Sequence, residues 1–102
     1  MTWYLYIASF FAGIFFANAI PHFVHGVSGN KFPSPFSKPP GRGLSSATVN
    51  VVWALFNFLV GYLFLRLGRV NSGNILSLAI FFVGVAATST MASVNFQKKE
   101  KE

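Results

Sequence analysis

The sequence alternates three long apolar runs with two polar stretches. The apolar runs cover approximately residues 3–25, 47–66 and 74–95, and charged residues appear only at their borders or outside them. A helix needs about 20 mostly apolar residues to cross the hydrocarbon core of a bilayer. The runs are continuous and do not show the two-residue alternation of a half-buried strand. The pattern therefore predicts a single-domain, all-α integral membrane protein with three transmembrane helices, whose first partner is the lipid bilayer.

The first polar stretch, residues 26–46, is rich in glycine, proline and serine. It predicts a long Pro/Gly-rich loop between helices 1 and 2, because these residues favour turns. A connection of this length without secondary structure is uncommon and is usually functional or disordered. Four prolines and two phenylalanines favour an ordered loop on the bilayer surface, although polyproline-like stretches also fit a solvated spacer. Residues 96–102 are predicted to form a polar tail.

Pro21 interrupts the end of the first apolar run, because it lacks the N–H that would bond to the carbonyl of Ala17. The helix should bend or end there unless another donor satisfies that oxygen, and we expect it to continue for one more turn. A secretory signal cleaved after residues 17–19 is the competing interpretation. It is disfavoured because the segment lacks the basic start that such signals carry.

Acidic residues and cysteine are almost absent from the chain. There is no aspartate and no cysteine, and the two glutamates are Glu100 and Glu102. The apolar runs therefore lack carboxylates for acid–base catalysis or calcium binding, and thiolates for nucleophilic or zinc chemistry. We expect no enzymatic activity. The net charge of +6 does not indicate a nucleic-acid partner, because the basic residues flank the apolar runs as membrane insertion requires.

Lysine and arginine are distributed unequally between the two ends of the predicted helices. The loop and the tail carry six of them, whereas the turn between helices 2 and 3 carries two, Arg66 and Arg69. Because cytoplasmic loops carry the excess of basic residues, the N-terminus is predicted outside and the loop and C-terminus in the cytoplasm. Basic clusters also attract anionic lipid headgroups. The candidates for headgroup binding are the three basic residues of the loop, Lys31, Lys38 and Arg42.

Helices 2 and 3 carry stripes of small and polar side chains. The stripe on helix 2 consists of Asn50, Ala54, Asn57 and Gly61, and that on helix 3 of Ser77, Gly84 and Thr88. Small residues allow close backbone approach and amides hydrogen-bond between helices. We therefore predict that both stripes are helix-packing surfaces. Because three helices offer few internal surfaces, the expected partners are a second copy or other membrane subunits.

Polar side chains also cluster near the end of helix 1. Asn18, His22 and His25 recur at helical spacing and should share one face near the membrane boundary. With Asn50 and Asn57 of helix 2, they are the candidates for a polar site or a ligand site. Imidazole can bind a metal or haem, but a zinc site needs three or four protein ligands. We therefore expect no metal and no cofactor, and keep haem or metal at the two histidines as an alternative.

These features favour a small non-enzymatic membrane protein that packs through its small and amide faces, as a homo-oligomer or as an accessory subunit of a membrane complex. One alternative is an oligomeric channel or transporter for a small polar solute, lined by the same amides and hydroxyls. A second alternative is a membrane protein that binds haem, quinone or metal through His22 and His25.

Overall fold

A computed structural model describes residues 3–71 and 73–99 of the protein. Within these residues it contains three α-helices and no strand: α1 (Trp3–Val27), α2 (Ala47–Leu67) and α3 (Ile75–Phe96). At 1.5 Å per residue the helices measure about 37, 31 and 33 Å, against about 30 Å for a hydrocarbon core. Each is long and apolar enough to cross a membrane. The predicted all-helical fold with three such helices is confirmed.

The first helix, α1, is the centre of the bundle. It packs against both other helices, whereas within the described ranges no Cα atom of α2 lies within 8 Å of one of α3. The residues that α1 buries are mostly small; its buried alanines are Ala8, Ala12, Ala17 and Ala19. Short side chains allow two neighbouring helices to approach the same backbone closely. The result is an elongated bundle of 47 × 23 × 19 Å.

α1 continues through Pro21 and ends at Val27. The last turns therefore stay helical, and they hold His22 and His25 at helical spacing beside the start of α2. Close packing persists at this end, because a Cβ built on Gly26 would lie 2.9 Å from the backbone nitrogen of Val51.

Polar side chains cap the N-terminal ends of α2 and α3, and a glycine follows the C-terminal end of α2. The hydroxyl of Ser46 accepts a hydrogen bond from the Val49 N–H at 3.1 Å, and the Asn74 side chain accepts one from the Ser77 N–H at 3.2 Å. Such caps satisfy N–H groups that have no partner inside the helix. Gly68 ends α2 against α1, where a Cβ would lie 2.8 Å from the Ser9 nitrogen.

Residues 28–46 connect α1 to α2 and fold back against the helix ends. Phe32 and Ser45 form an isolated antiparallel bridge, with N–H to carbonyl distances of 3.2 and 3.0 Å. The hydroxyls of Ser34 and Ser45 lie 2.6 Å apart and are buried. Phe32 and Pro33 are buried as well, whereas Phe36 is 64% exposed. The connection therefore closes one end of the bundle.

Candidate functional site

A buried hydrogen-bond network centred on Asn50 joins α1, α2 and the connection. The Nδ1 atom of His22 lies 2.7 Å from Oδ1 of Asn50, and both side chains are at most 2% exposed. The Asn50 amide nitrogen donates to the carbonyl oxygens of Phe32, Ser46 and Ser45, at 2.9, 3.0 and 3.3 Å. Because the amide nitrogen of Asn50 faces three carbonyl oxygens, the atom that faces the imidazole is the amide oxygen, which can only accept. Nδ1 of His22 is therefore the donor.

Aromatic rings surround this network. The His22 ring lies edge-on to Phe32, Trp53 and Phe96, with centroids 5.4, 6.5 and 6.1 Å away. The His25 ring stacks on Phe32 at 4.4 Å with an interplanar angle of 12°. The connection, α2 and α3 therefore each contribute a ring to the environment of the two histidines of α1. Apolar rings on several sides favour the hydrogen bond over competition from water.

A second amide pair lies one turn deeper in the bundle. The Asn18 amide nitrogen donates to Oδ1 of Asn57 at 3.0 Å, and the Asn57 amide nitrogen donates to the Trp53 carbonyl at 2.8 Å. Asn18 and His22 thus lie on one side of α1, but each bonds to a different asparagine of α2 rather than to the other. Each of these two hydrogen bonds pairs polar groups that would be costly to leave unpaired in an apolar environment.

The stripe on α2 lies against α1. The four buried residues of α2 are Asn50, Ala54, Asn57 and Gly61. On α3, Ser77 and Gly84 are buried and Thr88 is half-buried. Because α1 covers both stripes, the small and amide residues of the stripes do not by themselves require a second copy or another subunit.

An open cleft of about 600 Å³, which we name the outer cleft, lies between α1, α3 and the connection. Ile14, Met91 and Phe96 give it apolar walls, and Asn18, Thr88 and Asn95 give it polar ones. Two basic side chains, Arg42 of the connection and Lys98 beyond α3, also line it. Such dimensions suit a small ligand or the head of a larger one.

A smaller cavity of about 330 Å³, the inner pocket, adjoins the outer cleft. The two share Asn18, Pro40, Gly41 and Phe96 in their walls. The inner pocket is also lined by His22, by Trp53 and by the segment 33–35. It therefore places His22 of the buried network beside the outer cleft.

The predicted headgroup-binding residues take different positions. All three are exposed, but Arg42 lines the outer cleft, whereas Lys31 and Lys38 lie outside its lining. Lys98 and Trp53 were missed by the sequence analysis, which used the tail lysines for orientation alone. Trp53 could have been found, because it follows Asn50 by three residues and so lies on a neighbouring part of the α2 face.

Among residues 3–71 and 73–99, His, Cys, Asp and Glu form no group of three that could hold a metal ion. Comparison with known protein families, curated proteins and solved structures gives no match to the chain. The proposals below therefore depend on the geometry of the site.

Proposed function

We propose that the protein is a non-enzymatic integral membrane protein that binds the head of an anionic amphiphile, such as a phospholipid, in the outer cleft. The observation that carries this proposal is the combination of Arg42 and Lys98 in the walls of one open cleft whose other walls are partly apolar. Guanidinium and ammonium groups bind phosphate and carboxylate groups by charge-assisted hydrogen bonds.

The charge of the surroundings favours an anion. The two acidic residues of the chain are Glu100 and Glu102, which lie outside the described ranges. Within the described ranges, no acidic side chain lines the outer cleft. The whole chain carries a net charge of +6. Arg42 and Lys98 are both exposed at the outer cleft, so an anion can approach the two positive charges from outside.

The distribution of apolar and polar walls matches an amphiphile. Ile14 lies near the middle of α1 and Met91 lies inside α3, whereas Lys98 follows the end of α3 and Arg42 lies in the connection. These two apolar side chains therefore lie deeper along the helices than the basic ones do. An acyl chain would pack against these apolar side chains while its headgroup meets Asn95 and the two basic residues. A soluble polar solute would gain little from the apolar part of the cleft.

The same arrangement fits the predicted orientation. The long Pro/Gly-rich loop and the tail would lie on the cytoplasmic side, where anionic lipids attract basic residues. In this orientation the exposed ring of Phe36 would insert at the membrane–water interface beside Trp53, whose ring centroid is 5.3 Å away. The loop would then be a structured lid on the membrane surface.

Native mass spectrometry of the protein in mild detergent, with equal amounts of phosphatidylglycerol and phosphatidylcholine, tests this proposal. The wild type should retain phosphatidylglycerol in excess, and K98Q should lose most of that preference. The matched control is K38Q, which removes the same charge from the same end of the molecule but outside the cleft. Equal retention of both lipids by the wild type, or equal losses in K98Q and K38Q, would contradict a specific site.

A second candidate function is assembly with another copy or with another membrane subunit through the C-terminal half of α3. Five of its exposed residues are small, although Met91 and Val94 are exposed as well: the small ones are Ala86, Ala87, Ser89, Thr90 and Ser93. A helix face covered only by lipid tails gains little from small hydroxyl residues, which are typical of helix–helix contacts in membranes. The mass in mild detergent tests this: assembly predicts a dimer or larger that A87L dissociates, whereas a monomeric wild type contradicts it.

The channel and haem interpretations use the same polar residues in different roles. A pore lined by Asn50, Asn57 and Ser77 would require α1 to move away, because these side chains are buried in the bundle. Haem at His22 would require the ring to reach iron through Nε2, since Nδ1 is bonded to Asn50. An absorption spectrum of the purified protein tests the haem alternative directly.

A further inference from the structure

His22 provides a hydrogen-bond acceptor in the wall of the inner pocket, as the network around Asn50 indicates. Because Nδ1 of His22 donates to Asn50, the neutral imidazole carries its proton on Nδ1 and a lone pair on Nε2. Within the described ranges, Nε2 has no hydrogen-bond partner. His22 therefore offers an unused acceptor in the wall of the inner pocket.

Trp53, which also lines the inner pocket, carries an unused donor. The indole Nε1 of Trp53 is buried and has no hydrogen-bond partner within the described ranges. Burying such a donor without a partner costs about 1–3 kcal/mol, so native proteins rarely leave one unpaired. Trp53 and His22 line the inner pocket together, and their ring centroids are 6.5 Å apart.

We propose that the inner pocket binds a hydroxyl group of the amphiphile whose anionic head occupies the outer cleft; this rests on the proposed function. A hydroxyl both donates and accepts, as this pair of groups requires. It would donate to Nε2 of His22 and accept from the indole N–H of Trp53. The ligand class is thus an anionic amphiphile with a free hydroxyl in its headgroup.

The two cavities share part of their walls, which places both within reach of one ligand. Asn18, Pro40 and Gly41 belong to the walls of each cavity. A phosphate held by Arg42 and Lys98 in the outer cleft would leave its alcohol substituent facing this shared wall. The glycerol of the phosphatidylglycerol headgroup carries hydroxyls at that position. Phosphatidylethanol has the same phosphate charge, but its ethyl group carries no hydroxyl.

Competition between these two lipids in native mass spectrometry tests the inference. The wild type should retain phosphatidylglycerol over phosphatidylethanol by about threefold to tenfold, as expected for one or two added hydrogen bonds. W53F keeps an aromatic ring but removes the N–H, and should reduce the ratio to below about twofold. The control W3F removes the other indole of the chain, which is exposed in α1, and should keep the wild-type ratio.

The outcomes separate this inference from the proposed function. If the wild type retains both anionic lipids equally, or if W53F keeps the full preference, the hydroxyl site is wrong while the anion site stands. If neither lipid is retained over phosphatidylcholine, the proposed function itself fails. Should W53F not fold, the indole N–H resonance of Trp53 in the wild type gives the answer: it should shift with phosphatidylglycerol and not with phosphatidylethanol, and equal shifts would overturn the inference.

Discussion

Gly13 and Gly84 meet where α1 crosses α3, and a Cβ built on Gly13 would lie 3.1 Å from the Cα of Gly84. A Cβ on Gly84 would in turn overlap the carbonyl oxygen of Phe10. The obstacles are backbone atoms, which a rotamer change cannot move aside. This crossing therefore holds α3 against the central helix through direct backbone contact.

We predict that G84A destabilises the protein by about 1–3 kcal/mol, the usual cost of overpacking a close contact. Alanine has the higher helix propensity, so a loss of stability would reflect the contact with α1 and not the helix itself. Unfolding in mixed detergent measures the effect. The control G73A adds the same methyl group before α3, where the nearest atom is the Asn71 side-chain oxygen at 3.0 Å. Equal behaviour of the two variants would contradict the crossing.

The Asn18–Asn57 hydrogen bond predicts a specific pattern of coupling. N57L removes the acceptor of Asn18 and leaves the latter's amide nitrogen unpaired, at a cost of about 1 kcal/mol. The double variant N18L/N57L should recover part of this loss, because removing both partners leaves no unsatisfied group. A double-mutant cycle from the same unfolding measurement gives the coupling energy. Strictly additive effects would show that the two amides do not interact.

The network around Asn50 predicts how His22 can be replaced. H22Q should retain most of the stability, because a glutamine amide can still donate to the Asn50 oxygen. H22L should destabilise by about 1–3 kcal/mol, because it leaves that buried oxygen unpaired. Limited proteolysis within residues 28–46 should accelerate in H22L and not in H22Q, since the same asparagine holds the connection. Similar proteolysis rates in the two variants would contradict this role.

The orientation predicted from the basic residues can be tested with single cysteines, because the chain contains none. Lys38 and Asn71 are exposed and lie in the connections at opposite ends of α2. In a cell, an impermeant thiol reagent should label K38C only after the membrane is opened, and N71C without opening. Labelling of both from outside would exclude three membrane-crossing helices, and the reversed pattern would exclude the cytoplasmic loop and tail.

The sequence was sufficient for the three helices, because a hydrocarbon environment requires long uncharged runs and offers few other folds. It also identified the face of α2 that carries Asn57 and Gly61, since helical spacing alone puts small and amide residues together. It did not reveal that α1 covers both stripes. Small residues of α1 do recur at helical spacing, as Ser9, Gly13 and Ala17 do, but the large phenylalanines between them obscure this stripe.

The sequence indicated several residues of the polar network but not how they pair. Asn18, His22 and Asn50 were all candidates, but their pairing depends on how two helices align across a separation of 28 residues for His22 and Asn50. The role of Lys98 depends on where the end of α3 meets the connection. Neither relation has a local pattern, so each had to come from the tertiary structure.

The most direct test of the account is whether anionic lipid is concentrated at the outer cleft. A photoreactive phenylalanine analogue would be placed at Met91, which lines the cleft, or at Val83, which is exposed on the same helix but outside the lining. In vesicles of phosphatidylcholine with a minor fraction of phosphatidylglycerol, crosslinks at Met91 should be enriched in phosphatidylglycerol over the bulk ratio. Crosslinks at Val83 should follow the bulk ratio. The same lipid ratio at both positions would contradict an anion-binding cleft.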